Sequence, residues 1–134
     1  MYLHADVTDR IIAAFYKVYK TLGHDFLEKV YQNSMEIELK AQGLFAVPQA
    51  QLVVYYNGTA VGEYFADFLV ENCVIVELKA AEAVATEHHA QLLNYLRATD
   101  IDVALLLNFG PKPEVRRKVY ETARTRPASS QSHS

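Results

Sequence analysis

In the stretch Asp67-Phe-Leu-Val-Glu-Asn-Cys-Val-Ile-Val-Glu77-Leu-Lys79, the charged residues Asp67, Glu77 and Lys79 lie in or beside two runs that otherwise have the composition of buried strands. Burying an unpaired charge is expensive, so such a group usually becomes neutral, finds a partner or binds a metal. Two carboxylates with a lysine two residues beyond the second form a layout typical of divalent-metal and phosphate chemistry. The pattern therefore predicts a pair of strands that carries a candidate site.

The relative position of these charges follows from strand geometry. Side chains alternate along a strand, so Glu77 and Lys79 project from the same face. If Glu71-Asn72 forms a tight turn, Asp67 lies nearly opposite Glu77 on the neighbouring strand. Two carboxylates about 4 Å apart repel by roughly 4 kcal/mol at an effective dielectric constant near 20, and a divalent cation such as Mg²⁺ or Mn²⁺ would relieve that repulsion. In the structural alternative, Glu77 and Lys79 are an ion pair at a strand edge and Asp67 is a surface residue near a turn.

Two helices supply further candidates. Glu28 lies early in the second helix and could reach over the sheet edge as another metal ligand, although an exposed helical glutamate is the plainer alternative. His88, Gln91 and Tyr95 lie at positions i, i+3 and i+7 of a later helix and therefore share one face. We expect that face to point toward the Lys79 end of the sheet. There the three side chains would support the site, or would simply pack helix against sheet with hydrogen-bonded tips.

The rest of the chain alternates between helical and strand periodicity. Helices are expected over about 8–21, 26–41, 86–98 and 113–125, and strands over about 51–56, 61–70, 73–79 and 102–109. Three meandering strands followed by a strand-helix-strand crossover predict an α/β fold. Its mixed central sheet of about four strands is flanked by helices, in the order ααβββαβα. A single domain is expected over residues 1–126, with a disordered tail over 127–134.

Charge is distributed unevenly along the chain. The net charge is −3, which argues against a generally basic nucleic-acid binder. Residues 112–126 nevertheless carry six Lys and Arg against two Glu, a net charge of +4, whereas the remainder carries seven basic and fourteen acidic residues, a net charge of −7. Arg116, Arg117 and Lys118 are therefore candidate phosphate contacts on the last helix, and a solvated helix face is the alternative.

The cellular compartment is suggested by what the sequence contains. Its 134 residues include no stretch that is long and apolar enough to span a bilayer. The one cysteine, Cys73, cannot form an internal disulfide and suits a reducing compartment. A cytoplasmic location without membrane association is expected.

Several segments together resemble a known family. They are the segments at 22–31 (LGHDFLEKVY), 62–67 (GEYFAD), 76–80 (VELKA), 88–96 (HHAQLLNYL) and 106–110 (LLNFG). In this order and spacing the chain resembles the GxxExxY family of the PD-(D/E)xK nuclease-like superfamily. The resemblance implies a restriction-endonuclease-like core.

The resemblance also implies roles for individual residues. Asp67 and Glu77 would be the metal-binding acids and Lys79 the lysine of the motif. Glu28 would be the acid contributed by the helix, as a further metal ligand, and Gln91 the polar residue on the helix after the lysine strand. These five residues form the expected catalytic set.

The family motif is altered at one position. The glycine that opens it falls at Asp25, while the preceding Gly23 is kept. Asp25 could cap the second helix, or a changed loop could shift Glu28. The tyrosine of the motif is Tyr31, which we expect to pack rather than react.

Two classes of function fit the sequence. The first is a divalent-metal-dependent nuclease that hydrolyses phosphodiester bonds of DNA or RNA, with Mg²⁺ or Mn²⁺ as cofactor and Lys79 assisting. The second is a nuclease-like module that binds nucleic acid or a protein partner without cutting it. That module could instead be a dimeric scaffold, with some of the nine tyrosines at a homodimer interface.

Overall fold

The computed structural model describes residues 3–120, which form three helices and one five-stranded sheet. In chain order the elements are α1 (Ala5–Leu22), α2 (Glu28–Ala41), β1 (Ala46–Tyr56), β2 (Thr59–Val70), β3 (Val74–Lys79), α3 (Thr86–Ala98), β4 (Val103–Phe109) and β5 (Pro113–Val119). Within residues 3–120, no helix combines the length and the apolar character needed to cross a membrane.

The sheet is mixed, and its strand order follows the chain from β1 to β5. The first three strands form an antiparallel meander, β4 lies parallel to β3 after the α3 crossover, and β5 returns antiparallel to β4. Both turns of the meander have left-handed backbone, with φ of 50° at Asn57 and 51° at Glu71. The predicted α/β fold, a mixed sheet flanked by helices, is confirmed.

Helices cover both faces of the sheet. On one face α1 and α2 contribute Phe15 and Tyr31 to a fully buried cluster that includes Phe68 and Phe109 from the strands. On the other face α3 packs through Leu92 against the apolar residues of β3 and β4. Because helices cover both sides, β3 is buried from its first residue to its fifth. A carboxylate near the end of this strand is therefore surrounded by apolar residues.

The last described element differs from the prediction. Residues 113–119 form the edge strand β5 and not the start of a helix, so the sheet has five strands rather than about four. The sequence was ambiguous because Val115 and Val119 are four residues apart, a spacing that fits either a helix face or a strand face. The strand forms because β4 is buried throughout and β5 satisfies its remaining hydrogen-bonding edge. Residues 121–125 of the predicted helix and the predicted tail, 127–134, lie outside the described residues.

Candidate active site

Asp67 and Glu77, hereafter the acid pair, lie side by side where β2 and β3 separate. Main-chain pairing of these strands stops at Phe68 and Val76, and the next residues on the two strands are the two acids. Here carboxylates replace the main-chain acceptors. Oε1 of Glu77 accepts the backbone N–H of Asp67 at 3.0 Å, and Oδ2 of Asp67 accepts the backbone N–H of Leu78 at 2.7 Å. Each carboxylate is therefore held by the opposite strand, at one end of the sheet.

Burial makes the acid pair unfavourable when both carboxyl groups are ionised. Glu77 is only 6% exposed, and burial, followed by repulsion from Asp67, raises the pKa of Glu77 to about 8. Burial also raises the pKa of Asp67, against the opposing effects of hydrogen bonds from Leu78 and Gln49 and of the positive charge of Lys79. The pair therefore retains a proton at neutral pH, and a bound cation could replace that proton.

Two glutamines that the sequence analysis did not single out hold Asp67 in place. Nε2 of Gln49 donates to Oε1 of Gln32 at 2.9 Å and to Oδ1 of Asp67 at 3.4 Å. Nε2 of Gln32 in turn donates to the backbone carbonyl of Asp67 at 3.5 Å. Gln49 has a φ of 48°, a left-handed conformation that is uncommon for residues other than glycine and tends to occur at functional sites.

A sequence signal existed for one of these glutamines. Gln32 occupies a buried position of α2, where a polar side chain must find a hydrogen-bond partner. Gln49 gave no comparable signal, because it lies in the part of β1 that precedes the predicted strand at 51–56.

Glu28, at the start of α2, lies near the acid pair but is exposed. Its charge adds, after burial and Asp67, to the influences that raise the pKa of Glu77. Within residues 3–120, no group of three or more His, Cys, Asp or Glu side chains is arranged to hold a metal ion. Glu28 is therefore an electrostatic neighbour of the two strand acids, and its role as a third ligand stays a prediction.

Tyr31 fixes the loop that leads into Glu28. Its hydroxyl group donates to the carbonyl of Gly23 at 2.7 Å and accepts the backbone N–H of Phe26 at 3.3 Å. Its ring stacks on Phe109, with 4.0 Å between the ring centroids and an interplanar angle of 15°. This tyrosine packs, as expected, and the packing ties the loop to the core.

Asp25 does not cap α2, and the expectation that it could is wrong. The helix begins at Glu28, and the residue at its N-cap is Leu27. Asp25 has a φ of 83°, and its Oδ1 lies 3.0 Å from Nδ1 of His24. A positive φ is readily adopted by glycine, which gives a physical reason for a glycine at this position of the motif.

Lys79 ends β3, half-buried, and its positive charge opposes the rise in pKa of both members of the acid pair. The chain that follows is fixed by Asn108, which lies opposite Lys79 on β4 and is fully buried. The Asn108 amide donates to the carbonyl of Ala81 and accepts its backbone N–H, each at 3.0 Å. Oε1 of Glu114 accepts from Asn108 at 3.0 Å and from the backbone N–H of Val84 at 3.2 Å. These contacts position Lys79 and the start of α3 together.

The three candidates on α3 divide into two groups. Nε2 of Gln91 donates to the hydroxyl group of Tyr95 at 2.9 Å. Burial, followed by the negative charges of the acid pair, raises the pKa of Tyr95 to about 12, so this phenol lies near the carboxylates. In His88 the Nδ1 atom accepts the backbone N–H of Ala85 at 3.1 Å. Gln91 and Tyr95 thus border the site, while His88 stabilises the beginning of the helix.

The basic residues Arg116, Arg117 and Lys118 lie on β5, where successive side chains alternate between two sides. Nη2 of Arg117 donates to the backbone carbonyl of Leu3. On the other side, Lys118 and Arg116 add to burial, the largest influence, in lowering the pKa of His89. Arg117 therefore projects from the other side of β5 than Arg116 and Lys118, and phosphate contact by these three residues stays a prediction.

The acid pair suits a hard divalent cation by its chemistry. Magnesium is usually bound by one or two carboxylates, with water and substrate oxygens completing its coordination. The acid pair supplies two carboxylates, each held in place by a backbone N–H of the opposite strand. This number of carboxylates fits a magnesium site.

Comparisons with known proteins agree with this fold. A family model described as the PD-(D/E)XK nuclease superfamily matches residues 5–118, and the chain belongs to that superfamily. A search of curated proteins finds no match. The structure is similar to the crystal structure of SSO0001, with a TM-score of 0.55 and 18% sequence identity, over 69% of this chain and 49% of that one. This chain thus spans about half the length of that neighbour, and the similarity bears on the fold alone.

Proposed function

We propose that this protein is a divalent-metal-dependent nuclease that hydrolyses phosphodiester bonds in DNA or RNA, with Mg²⁺ or Mn²⁺ held by Asp67 and Glu77. The observation that carries the proposal is the acid pair itself. The buried carboxylate of Glu77 and the half-buried one of Asp67 lie together at the end of β3, burial and repulsion from Asp67 raise the pKa of Glu77 to about 8, and Lys79 lies two residues further on. Membership of the PD-(D/E)XK nuclease superfamily supports this reading of the pair.

Each residue has a role that its position supports. Asp67 and Glu77 would hold the cation, which supplies positive charge at the phosphate and activates water. Lys79 would stabilise negative charge as it develops on the phosphate. Glu28 would approach the site from α2 as a further ligand, and Gln91 would orient Tyr95 beside the acid pair.

Cleavage assays with purified variants test this proposal. The protein should cut a set of DNA and RNA oligonucleotides only when Mg²⁺ or Mn²⁺ is present. Glu77→Gln and Lys79→Ala should each lower the rate by at least about 100-fold, whereas the exposed control substitutions Glu82→Gln and Lys29→Ala should leave it unchanged. Cleavage that survives Glu77→Gln would come from a contaminant and would reject the assignment.

A second function, a module that binds nucleic acid or a protein partner without cutting, is favoured by one observation. Within the described residues, no group of three or more His, Cys, Asp or Glu side chains is arranged to hold a metal ion. Calorimetry separates the two functions, because a module that does not cut has no need of the cation. Absence of Mn²⁺ binding at millimolar concentration would favour the second function.

Three finer assignments belong to the same proposal. We place the chain in the GxxExxY branch, on the basis of Glu28, Tyr31 and the left-handed backbone at Asp25. We propose a cytoplasmic location, where the single thiol of Cys73 would stay reduced. A homodimer is proposed because tyrosine is enriched at protein interfaces and the chain has nine, and light scattering tests it.

A further inference from the structure

An exposed aromatic ring continues outward from the candidate active site. Tyr64 on β2 is 41% exposed, and its ring centroid lies 5.3 Å from that of Tyr95, at an interplanar angle of 53°. Tyr95 itself is 3% exposed and is held by Gln91 through its hydroxyl group. The buried ring therefore gives the exposed one a fixed support.

The ring pair lies on the face of the sheet from which Glu77 projects. Tyr95 packs in the same buried cluster as Ile75 of β3, and Glu77, two residues along that strand, projects from the same face as Ile75. Leu52, directly opposite Tyr64 on β1, belongs to that cluster too. A planar group stacked on Tyr64 would therefore lie on the same side of the sheet as the carboxyl group of Glu77.

The charge of the surrounding hairpin indicates what kind of ligand fits it. From Ala46 to Ala66 the sequence contains no Lys or Arg, and Glu63 is its only acidic residue. The same segment exposes further rings, with Tyr55 50%, Tyr56 69% and Phe65 50% exposed. Duplex DNA presents phosphates on its outside and is bound mainly by cations. Single strands expose the faces of their bases, and an exposed aromatic ring such as Tyr64 binds a base by stacking.

We propose that the β1–β2 hairpin binds single-stranded nucleic acid by stacking a base on Tyr64, and so leads the strand to the acid pair. This inference rests on the proposed nuclease function and narrows its substrate class to single-stranded DNA or RNA, or to single-stranded regions of a larger molecule. Tyr64 sets specificity in this scheme and takes no part in hydrolysis.

Oligonucleotide binding without metal tests the inference separately from cleavage. Fluorescence anisotropy in EDTA would compare a labelled 12-nucleotide oligothymidylate with a hairpin duplex of equal mass. The single strand should bind at least about 10-fold more tightly than the duplex. Tyr64→Ala should weaken single-strand binding by about 5- to 150-fold, the range expected for one stacked base. Tyr64→Phe keeps the ring and should stay within about twofold of the wild type.

Matched controls and outcomes decide the case. Tyr16→Ala removes a tyrosine of similar exposure, 46%, from α1 on the opposite face of the sheet, and should not change binding. Equal binding of duplex and single strand, wild-type affinity in Tyr64→Ala, or no oligonucleotide binding by the wild type would each overturn the inference. Self-association that Tyr64→Ala abolishes, without oligonucleotide binding, would assign the hairpin to a protein partner and overturn it too.

The proposed function and this inference fail in different ways. Single-strand binding that depends on Tyr64, without metal-dependent cleavage, would uphold the inference and reject the nuclease. Metal-dependent cleavage that is indifferent to Tyr64 would uphold the nuclease and overturn the inference.

Discussion

Replacing Glu77 by glutamine should stabilise the metal-free protein at pH 8. The pKa of this carboxyl is about 8 in the folded protein against an ordinary value of 4.5. Between these values the folded state binds more protons than the unfolded state, so stability falls as pH rises from about 4.5 to about 8. The two pKa values differ by an amount equivalent to about 5 kcal/mol at 1.36 kcal/mol per pKa unit.

The expected gain is smaller than that limit. Glutamine cannot ionise, and its oxygen can still accept the backbone N–H of Asp67, but its amide group must find a partner where a carboxyl group had been. We therefore expect Glu77→Gln to raise the free energy of unfolding by about 2–4 kcal/mol at pH 8 and by little at pH 4.

Urea denaturation followed by circular dichroism, at pH 4, 6 and 8 in EDTA, measures this difference. The control Glu82→Gln removes an exposed carboxylate and should follow the wild type at every pH. If the stability of Glu77→Gln depends on pH as steeply as that of the wild type, or is lower at pH 8, the buried-charge account of the acid pair is wrong.

Three further substitutions test other parts of the site. Gln49→Ala should weaken Mn²⁺ binding about 10-fold in calorimetry, because the amide that orients Asp67 is lost; unchanged affinity would show that Asp67 needs no such support. Asp25→Gly should raise the free energy of unfolding by about 0.5–1 kcal/mol and the melting temperature by roughly 3 °C. The reason is that glycine adopts a φ of 83° without the backbone strain that aspartate has there. A lower melting temperature would contradict this. Gly110→Ala should lower the free energy of unfolding, measured by urea denaturation, by more than about 2 kcal/mol. A Cβ atom at this position would overlap the carbonyl oxygen of Ala81. A urea midpoint equal to that of the wild type would refute this close approach.

Features with local causes were predictable from the sequence. The helix expected over 86–98 has those bounds in the structure, and Asn57-Gly58 forms the predicted hairpin turn. Opposition of Asp67 and Glu77 followed from two local facts, the tight turn at Glu71-Asn72 and the alternation of side chains along strands. Such signals depend on a few neighbouring residues, so a single sequence contains them.

Features with distant causes were not predictable in the same way. Pro113–Val119 is a strand because β4 offers it an edge, and that edge exists only after the sheet has formed. Gln49 reaches Asp67 through a left-handed backbone that its side chain does not favour. His88 lies on a helix, as its spacing predicted. Its Nδ1 atom, however, accepts a hydrogen bond from the backbone of Ala85 and is not available to a ligand at the site.

The C-terminal strand has a consequence for shortened versions of this protein. A chain cut before Pro113 would keep Asp67, Glu77 and Lys79. It would lose Glu114, whose carboxylate accepts the backbone N–H of Val84 in the segment between β3 and α3. If such a shortened protein were inactive, the cause would be the loss of the contacts that position the segment after Lys79, and not the loss of a reactive group. A minimal working version should therefore extend at least through Val119.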